Sequence, residues 1–229
     1  MVIPAWNEEK SVGLVVRDFL GVNRDGTRLI DEIVVCDNAS TDRTAAMAAE
    51  AGARVVTETG RGYGSACLAG IAALSTVDIV LFADADRSDA AEEATGLVSA
   101  VADGADLAIG SRALGIAEPG ALTPQQRFGN ALASALIRGI WRHHTTDLGP
   151  FRAIRRDALD KLGMRDRTYG WTVEMQVKAI QVGMKVVEIP VSYRRRIGVS
   201  KISGTVKGTI GAGVKILGMI AVLWWKDKR

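Results

Sequence analysis

The sequence predicts an α/β protein in which helices cover both faces of a mostly parallel sheet. Through the first half of the chain, short apolar runs typical of strands alternate with segments whose apolar residues recur at helical spacing. Strands that alternate with helices in this way pair in parallel, because a parallel pair needs a crossover connection and that connection is usually a helix. The 229 residues, 48% of them apolar, can bury one such core.

Five strands are expected in the first half, each a short run of apolar and β-branched residues: 1–3, 33–36, 54–57, 78–83 and 106–109. The first helix is indicated by apolar residues at positions i, i+3, i+4 and i+7, namely Val12, Val15, Val16 and Phe19. Asn7 is expected to cap this helix. Ser40 or Thr41 is expected to cap the second helix, which Gly52 ends.

The second half of the chain is less regular. Its composition and periodicity indicate a loop over 114–123, helices over 124–141, 156–162 and 172–182, and strands over 151–154 and 185–190. The chain contains no internal repeat. Residues 1–202 are therefore expected to form one domain, followed by a C-terminal amphipathic helix over 203–229.

Composition narrows the function classes. Charged residues make up 24% of the chain, as in a folded globular protein, and the net charge of +3 is too small to indicate a particular partner. We expect no nucleic-acid partner. Basic residues crowd the last quarter, where they indicate phosphate or an anionic surface nearby: 194–196, Lys201, Lys207, Lys215 and 226–229. Cys36 and Cys67 fit neither a disulfide framework nor a zinc site, which favours a reducing compartment. The chain lacks an uncharged apolar run of about 18 residues and a recognisable leader, so we expect a cytoplasmic protein.

The triplet Asp84-Ala85-Asp86 directly follows the strand predicted over 78–83. Ligands of α/β proteins bind beyond the carboxyl ends of the parallel strands. Two carboxylates clustered there repel each other unless a hard cation or a hydroxyl-rich ligand shares them. Polar loops also follow the first two strands, at 4–9 and 37–42, so we expect three polar loops along one edge of the sheet. The alternative is a solvated acidic loop.

Aspartates at these strand ends can accept hydrogen bonds from a nucleobase or from ribose hydroxyls, or hold a metal ion on a diphosphate. Taken alone, Asp37 is equally well explained as a turn former, and Asp42 is better explained as a charge at a helix N-terminus. Gly60, Gly62 and Gly64 lack the dinucleotide-binding spacing and follow the third strand, which argues against a Rossmann dehydrogenase. These glycines form either a tight turn or a place where backbone approaches a ligand.

Seven stretches resemble the motifs of family 2 glycosyltransferases, which have the GT-A three-layer nucleotide-diphospho-sugar transferase fold. Within that family the chain is similar to dolichyl- and polyprenyl-phosphate mannosyl- and glucosyltransferases. The stretches occur in order and are Pro4-Ala5-Trp6-Asn7-Glu8, 34–42, 62–66, Ala83-Asp84-Ala85-Asp86, Gly110-Ser111-Arg112, 147–152 and 195–201.

The resemblance implies that a nucleotide diphosphate sugar binds at the acidic triplet, where Asp84 and Asp86 hold Mg²⁺ or Mn²⁺. It implies catalytic roles for Asp86, Arg112 and Asp147. The implied substrate-binding residues fall into four groups: nucleotide pocket (Pro4, Trp6, Glu8), base (Val35, Asp37), ribose, diphosphate and metal (Asp84, Ala85, Asp86), and donor and acceptor phosphates (Arg112, Arg127, Arg195, Lys201).

The chain departs from the family pattern at several positions. Trp6 stands where relatives commonly carry Tyr, a change that should preserve stacking, and Asn38 stands where they have a second Asp. Ser88 replaces a polar amide found in some relatives, which leaves that metal contact open. The stretch 147–150 differs from the Asp-Pro-Thr-Ser-Gly of many relatives, so the resemblance does not fix the geometry of the acceptor loop.

The resemblance further implies inverting transfer of mannose or glucose from a GDP-mannose or UDP-glucose type donor to a polyprenyl or dolichyl phosphate. A phosphate monoester is already an anionic nucleophile near neutral pH and needs no strong base. A hydroxyl acceptor, as for a soluble family 2 enzyme, would need one, and Asp147 and Glu174 are the candidates. A third alternative is a non-catalytic nucleotide-sugar binder, against which the intact Asp84 and Asp86 argue.

The C-terminal segment carries small and apolar residues at alternating spacings of four and three: Val206, Ile210, Gly213, Leu217, Ile220 and Trp224. Trp224-Trp225 followed by the charged run 226–229 resembles an interfacial anchor. A helix packed on its own domain, or on a second subunit of a homo-oligomer, is the alternative. We expect peripheral contact with the cytoplasmic membrane face, because a polyprenyl acceptor must be reached in the bilayer.

Overall fold

The computed structural model describes residues 1–198 and 206–228, with the side chains of all these residues except 206–210. The strands are β1 (Val2–Ala5), β2 (Asn23–Arg24), β3 (Thr27–Arg28), β4 (Val34–Asp37), β5 (Arg54–Thr57), β6 (Ile79–Phe82), β7 (Leu107–Ser111), β8 (Arg152–Arg155) and β9 (Val186–Pro190). The helices are α1 (Val12–Leu20), α2 (Thr44–Glu50), α3 (Tyr63–Ala73), α4 (Ala94–Ala102), α5 (Pro124–Trp141), α6 (Arg156–Leu162), α7 (Trp171–Gln181) and α8 (Val206–Asp227).

Seven of the described strands form one sheet in the order β5-β4-β1-β6-β8-β7-β9. All neighbours pair in parallel except β8, which runs antiparallel to β6 and β7. The mostly parallel sheet confirms the predicted α/β class. Because β8 is reversed, its first residue, Arg152, lies opposite Phe82, the last residue of β6. The segment before β8 therefore arrives at the edge where the parallel strands end.

Helices cover both faces of the sheet. Successive residues of the central strands point to opposite faces, as the period of a strand requires. On one face Ile3, Val35 and Leu81 pack with residues of α1 and α4, and on the other Val2 and Val80 pack with residues of α3, α6 and α7. The result is the expected three-layer arrangement. A further apolar cluster joins α5, α7 and α8.

The expected helix caps after β1 and β4 are wrong. α1 begins well after Asn7, whose φ of 54° is left-handed and whose Oδ1 accepts a hydrogen bond from the Thr41 N–H at 2.8 Å. The Asn7 N–H in turn donates to the Ser40 hydroxyl at 2.9 Å. α2 begins at Thr44, whose N–H donates to Asp42 Oδ1 at 3.0 Å. The two polar loops thus bond to each other across the sheet edge, and this long-range pairing outweighs the local capping preference.

The C-terminal helix α8 packs on α5 and α7, where Ile220 and Leu223 are buried. The predicted apolar stripe is only partly covered, because Leu217 and Trp224 are exposed. No helix in the described ranges is long and apolar enough to cross a bilayer. Lys201 and the expected boundary between residues 202 and 203 lie outside the described residues.

Candidate active site

A cavity of about 390 Å³ opens at the edge of the sheet where β1 and β6 end, and it is termed the first cavity. Strand ends deliver its side chains, since a parallel sheet brings the carboxyl ends of its strands to one edge. Six predicted site residues line it: Pro4, Trp6, Glu8, Asp84, Ala85 and Asp86. The fold therefore brings half of the predicted substrate-binding set to one place.

Three carboxylates lie close together at this edge. The Asp84 N–H donates to Asp89 Oδ2 at 3.0 Å, and the Ser88 N–H donates to Asp86 Oδ1 at 3.0 Å. Burial raises the pKa of Asp84 well above its ordinary value, and the charges of Asp86 and Asp89 raise it further. Burial likewise raises the pKa of Asp89 to about 7. Such a cluster favours a bound proton or a cation that shares its charge.

The donor set suits a hard divalent cation. Carboxylate oxygens are the ligands that Mg²⁺ and Mn²⁺ prefer, and Asp84 and Asp86 supply them. Within residues 1–198 and 206–228, no three His, Cys, Asp or Glu side chains converge as a complete metal site does. Protein carboxylates would therefore provide part of the coordination, and phosphate oxygens and water the rest, which is how Mg²⁺ usually binds beside a phosphorylated substrate.

A positively charged side chain, Arg196, already contacts these carboxylates. Its Nη1 lies 3.1 Å from Asp86 Oδ2, and its Nη2 lies 2.9 Å from Glu8 Oε1. Arg195, the predicted phosphate contact, is exposed, and its Nε donates to the Pro119 carbonyl at 2.6 Å. Arg195 does not line the first cavity, whereas Arg196 does. Of this pair of arginines, Arg196 rather than the predicted Arg195 therefore reaches the first cavity.

Asp37 and Trp6 carry buried polar atoms that have no hydrogen-bond partner among the described residues. These atoms are Asp37 Oδ1, an acceptor, and Trp6 Nε1, a donor. They belong to neighbouring strand ends, because Asp37 pairs with Ala5 in the sheet. Unpaired buried polar groups are rare and mark places where water or a ligand completes the bonding. Val35 differs, since its side chain is fully buried in the core and only its backbone is left to contact a base.

The glycine-rich turn allows two backbone segments to approach closely. A Cβ on Gly62 would collide with the Arg167 carbonyl oxygen, and a Cβ on Gly64 would collide with the Asp166 carbonyl oxygen. The Gly64 N–H donates to the Thr168 carbonyl at 3.1 Å. The glycines are therefore required by contact with the protein's own 166–168 loop, which brings Thr168 to the wall of the first cavity.

A second cavity of about 390 Å³ lies where β7 ends and α5 begins. Arg112 follows β7, and Arg127 and Asn130 come from α5. Thr146 and Asp147 reach this cavity from the segment before β8. The structure thus brings together three predicted residues that are far apart in the chain, Arg112, Arg127 and Asp147. Of these three, Arg112 lies close enough to Asp84 and Asp89 for its charge to oppose the rise in their pKa values that burial causes.

Asp147 is buried and fully bonded. Its Oδ1 lies 2.6 Å from Arg112 Nη2, and its Oδ2 accepts hydrogen bonds from Arg112 Nε at 2.8 Å and from the Arg112 N–H at 2.7 Å. Burial acts to raise the pKa of Asp147, but the bonds and the charge of Arg112 outweigh it and hold that pKa below its ordinary value. A carboxylate in this state is a poor proton acceptor, so its geometry fits the positioning of Arg112 rather than general base catalysis.

The other base considered from the sequence, Glu174, lines neither cavity. Its Oε2 accepts hydrogen bonds from the Arg165 N–H at 3.0 Å and the Asp166 N–H at 2.7 Å. Its Oε1 lies 2.7 Å from Lys178 Nζ. Glu174 therefore anchors the start of the 165–170 loop, a structural role.

Comparison with known proteins identifies the family. The profile of glycosyl transferase family 2 matches residues 1–163. The chain belongs to this family. It is 40% identical over 213 residues to an uncharacterized glycosyltransferase of Mycobacterium tuberculosis, with 92% of each chain covered. It is 32% identical over 226 residues to the polyprenol monophosphomannose synthase of Mycolicibacterium smegmatis, with 90% of this chain and 81% of that one covered.

The fold of this glycosyltransferase is of the GT-A type. It aligns with the crystal structure of glucosyl-3-phosphoglycerate synthase from Mycobacterium tuberculosis in complex with Mn²⁺, uridine-diphosphate and phosphoglyceric acid. The TM-score is 0.76 over 97% of this chain and 77% of that one, at 22% identity. The expectation of a GT-A fold from the sequence motifs is confirmed.

Sequence reasoning missed Glu188, which organises the second cavity of the glycosyltransferase from β9. Its Oε1 accepts hydrogen bonds from the Thr145 hydroxyl at 3.0 Å and the Thr146 N–H at 2.8 Å, and its Oε2 from the Thr146 hydroxyl at 2.9 Å. Oε1 also accepts from the Asp147 N–H at 3.2 Å. The available signal was a single carboxylate within the otherwise apolar strand 186–190.

The raised pKa of Asp89 predicts how the stability of the metal-free glycosyltransferase depends on pH. The folded-state pKa of about 7 exceeds the unfolded value of about 3.9. The stabilising contribution of this group is therefore complete below pH ~4 and is lost as pH rises through 7. The Asp89→Asn variant cannot ionise at this position, so it should not show this loss of stability as pH rises. We expect the melting temperature of Asp89→Asn minus that of the wild type to increase between pH 5 and pH 8.5, as measured by thermal unfolding in EDTA.

The control for this experiment is Asp103→Asn, at an exposed carboxylate after α4. Its melting temperature should follow that of the wild type across the range. A difference between Asp89→Asn and the wild type that stays constant with pH would contradict the prediction.

Proposed function

We propose that this enzyme transfers a hexose, mannose or glucose, from a nucleoside diphosphate sugar to a polyprenyl phosphate with inversion at the anomeric carbon. The observation that carries the proposal is the adjacency of two unlike cavities. The first presents clustered carboxylates suited to a metal–diphosphate, and the second presents Arg112 and Arg127 with no carboxylate free to act as a base among the described residues that line it.

The first cavity is proposed to bind the donor. Trp6 and Asp37 would contact the base through their unpaired buried atoms, and Pro4 and Glu8 would line the nucleotide pocket. Mg²⁺ or Mn²⁺ on Asp84 and Asp86 would offset the charge that develops on the leaving diphosphate. The Mn²⁺ and uridine-diphosphate bound by the structural neighbour support this assignment.

The second cavity is proposed to bind the acceptor phosphate. Arg112 and Arg127 can pair with a phosphate, and an arginine fork suits its oxygens. Among the described residues that line this cavity, the carboxylate is Asp147, which is already bonded to Arg112, so these residues offer a neutral hydroxyl acceptor no base. A phosphate monoester needs none, because it is anionic at neutral pH. The relative named polyprenol monophosphomannose synthase supports a lipid phosphate.

Contact with the membrane surface is proposed for α5 and α8, which pack side by side. α5 exposes Phe128, Leu132 and Leu136, which recur every four residues and so share one face. α8 exposes Trp224 near its end, and Lys228 Nζ lies 4.2 Å from the centre of that ring. Aromatic and basic residues beside an apolar face are typical of helices that lie in the interface of an anionic membrane.

This proposal predicts that the combined change Phe128→Ser and Trp224→Ser weakens binding to vesicles that contain anionic lipid. Each large apolar side chain contributes about 1.5–3 kcal/mol when fully buried, so the loss should exceed tenfold in the dissociation constant. Vesicle sedimentation measures it. Val182→Ser changes an exposed apolar residue after α7 and should have no effect. Equal binding by all three proteins would contradict membrane contact.

The test of the function is transfer of radiolabelled sugar from UDP-glucose and GDP-mannose, with Mn²⁺, to a polyprenyl phosphate. We expect label in organic-extractable, mild-acid-labile lipid. A small phosphorylated acceptor is the second candidate, favoured by the phosphoglyceric acid in the structural neighbour, and phosphoglyceric acid should be tested in parallel. Label only in water-soluble product would overturn the lipid acceptor, and transfer to neutral hydroxyl acceptors alone would overturn a phosphate acceptor.

A further inference from the structure

Arg196 pairs with an oxygen of Asp86, one of the two proposed metal ligands. Asp86 Oδ1 accepts hydrogen bonds from the N–H and the hydroxyl of Ser88, and Asp86 Oδ2 lies 3.1 Å from Arg196 Nη1. Both carboxylate oxygens are therefore engaged. The second Arg196 nitrogen, Nη2, lies 2.9 Å from Glu8 Oε1, so the guanidinium bridges two acidic residues that line the first cavity.

The backbone around Arg196 is held against the acidic turn. The Ile197 N–H donates to the Asp86 carbonyl at 2.9 Å, and the Arg194 N–H donates to the Ser88 carbonyl at 2.8 Å. These bonds fix the position from which the side chain reaches Asp86. They do not involve the guanidinium, so the side chain can move to another partner while the backbone stays in place.

A divalent cation and this guanidinium compete for the same oxygen. Two positive charges within a few ångströms repel each other strongly in a site shielded from water. A cation that binds Asp86 Oδ2 must therefore displace Arg196 Nη1. The released nitrogen, Nη1, then lacks the anionic partner it had in Asp86, since the contact with Glu8 is made by Nη2, and a diphosphate bound to the same cation would supply phosphate oxygens in the same cavity. Arg196 Nε, which is buried and has no hydrogen-bond partner among the described residues, would gain one in that arrangement.

We propose that Arg196 is an exchangeable counter-ion: it neutralises Asp86 in the empty enzyme, yields this position to the divalent cation, and then pairs with the diphosphate of the donor. The inference rests on the proposed metal-dependent use of a nucleoside diphosphate sugar. It has two consequences. The cation alone binds weakly, because its ligand is already paired. The cation and the nucleotide bind with positive coupling, because the nucleotide stabilises the displaced arginine.

The size of the first effect follows from the occupancy of the Arg196–Asp86 pair. The apparent dissociation constant of a ligand equals its intrinsic value divided by the fraction of protein in the competent state. If the pair is closed in about nine molecules of ten, removing Arg196 strengthens cation binding about tenfold. Asp86 is buried and the pair is partly shielded from solvent, so a closed pair is the expected resting state.

The decisive experiment is calorimetric titration of the full chain with Mn²⁺ alone, without nucleotide or acceptor. We expect Arg196→Ala and Arg196→Gln to bind Mn²⁺ about tenfold more tightly than the wild type. Arg195→Ala removes the adjacent positive charge without touching Asp86. Arg61→Ala removes one from the lining of the same cavity, where the guanidinium lies 4.4 Å from the centre of the Trp6 ring. Both controls should bind Mn²⁺ much as the wild type does, which separates exchange at Asp86 from a general change in charge.

A second titration measures the coupling. UDP and GDP are each titrated with and without saturating Mn²⁺, and by reciprocity the factor by which Mn²⁺ improves nucleotide binding equals the factor by which nucleotide improves Mn²⁺ binding. This factor should be smaller in both Arg196 variants than in the wild type. Melting temperatures in EDTA establish that each variant is folded, and the glutamine variant keeps polar contacts if alanine is too disruptive.

Equal Mn²⁺ affinity in the wild type and both Arg196 variants, or a gain of the same size in the Arg61 control, would overturn the exchange. So would an unchanged coupling factor. These results are independent of the acceptor, since no sugar is transferred in either titration. Failure to find a lipid product would therefore count against the proposed acceptor and not against the exchange at Arg196. Failure of the exchange would not count against a lipid acceptor.

Discussion

Asp86→Asn is expected to lower the rate of sugar transfer by about a thousandfold, the order of loss seen when a preorganised electrostatic group is removed. The amide keeps an oxygen for the Ser88 N–H, which donates to Asp86 Oδ1 at 3.0 Å, so the turn should fold as before. The amide has no charge with which to hold a divalent cation or to pair with Arg196. Single-turnover transfer with saturating donor and acceptor measures the chemical step directly.

Two further results should accompany this loss. The affinity of Asp86→Asn for Mn²⁺, measured by calorimetry, should fall together with the transfer rate, because the same carboxylate oxygen is proposed to bind the cation and to support transfer through it. The matched control is Asp18→Asn, which removes a carboxylate paired with Arg87 at 2.6 Å, outside both cavities, and should retain nearly full rate. Retention of more than about a tenth of the wild-type rate by Asp86→Asn would be inconsistent with metal-assisted departure of the diphosphate through this residue.

The position of the acidic cluster was predictable because it depends only on the alternation of strands and helices along the chain. Five parallel strands in the first half must end at one edge, so the residues after 5, 37 and 82 meet wherever the helices fall. Asp84 and Asp86 therefore needed only a correct strand over 78–83. The identity of the family needed only the ordered motifs, which the family profile over residues 1–163 bears out.

The arginine that reaches the cluster was not predictable in the same way. Arg195 and Arg196 lie in an irregular segment, where neither a period of 3.6 nor a period of 2 decides which side chain faces inward. Long-range backbone bonds decide it, chiefly that from the Ile197 N–H to the Asp86 carbonyl. The prediction that Asn7 caps α1 was wrong for a related reason. Its hydrogen-bond partner Thr41 is distant in sequence and lies close only in the folded sheet.

The role of Asp147 illustrates a third limit. Its motif implies a catalytic position, but a base and a positioning residue look alike in a sequence, because both are carboxylates beside an acceptor site. The difference lies in bonding and burial. Bonds from three donors of Arg112 occupy the carboxylate, and they are visible only once β7 and the segment before β8 are brought together.

Asp147→Asn is expected to lower the free energy of unfolding by about 3–5 kcal/mol, the usual effect of removing one partner of a buried ion pair. The amide leaves the charge of Arg112 without compensation, in a place where its side chain is only 15% exposed. Urea unfolding at pH 7 measures the change. Asp160→Asn breaks an exposed pair with Arg156 and should cost less than about 1 kcal/mol.

The stability difference between the wild type and Asp147→Asn should depend on pH in a definite direction. The pKa of Asp147 is lowered in the folded protein, so the carboxylate stabilises the fold above its unfolded pKa of about 3.9 and loses that contribution as pH falls through the folded value. The wild type should therefore approach the stability of Asp147→Asn in acid, and the difference between the two should grow as pH rises and be complete above pH ~5. A gap that is constant across the acid range would contradict the assignment of the effect to ionised Asp147.

Kinetics at neutral pH then separate positioning from base catalysis. If Asp147 orients Arg112 for an acceptor phosphate, Asp147→Asn should raise the acceptor KM and lower kcat, while the affinity for nucleotide stays close to that of the wild type. The rate should not be restored by raising the pH, since a phosphate acceptor is already ionised. A base would behave differently, because more alkaline solution deprotonates a hydroxyl acceptor and partly replaces the missing carboxylate. Recovery of activity at high pH would therefore favour a hydroxyl acceptor and count against the lipid phosphate.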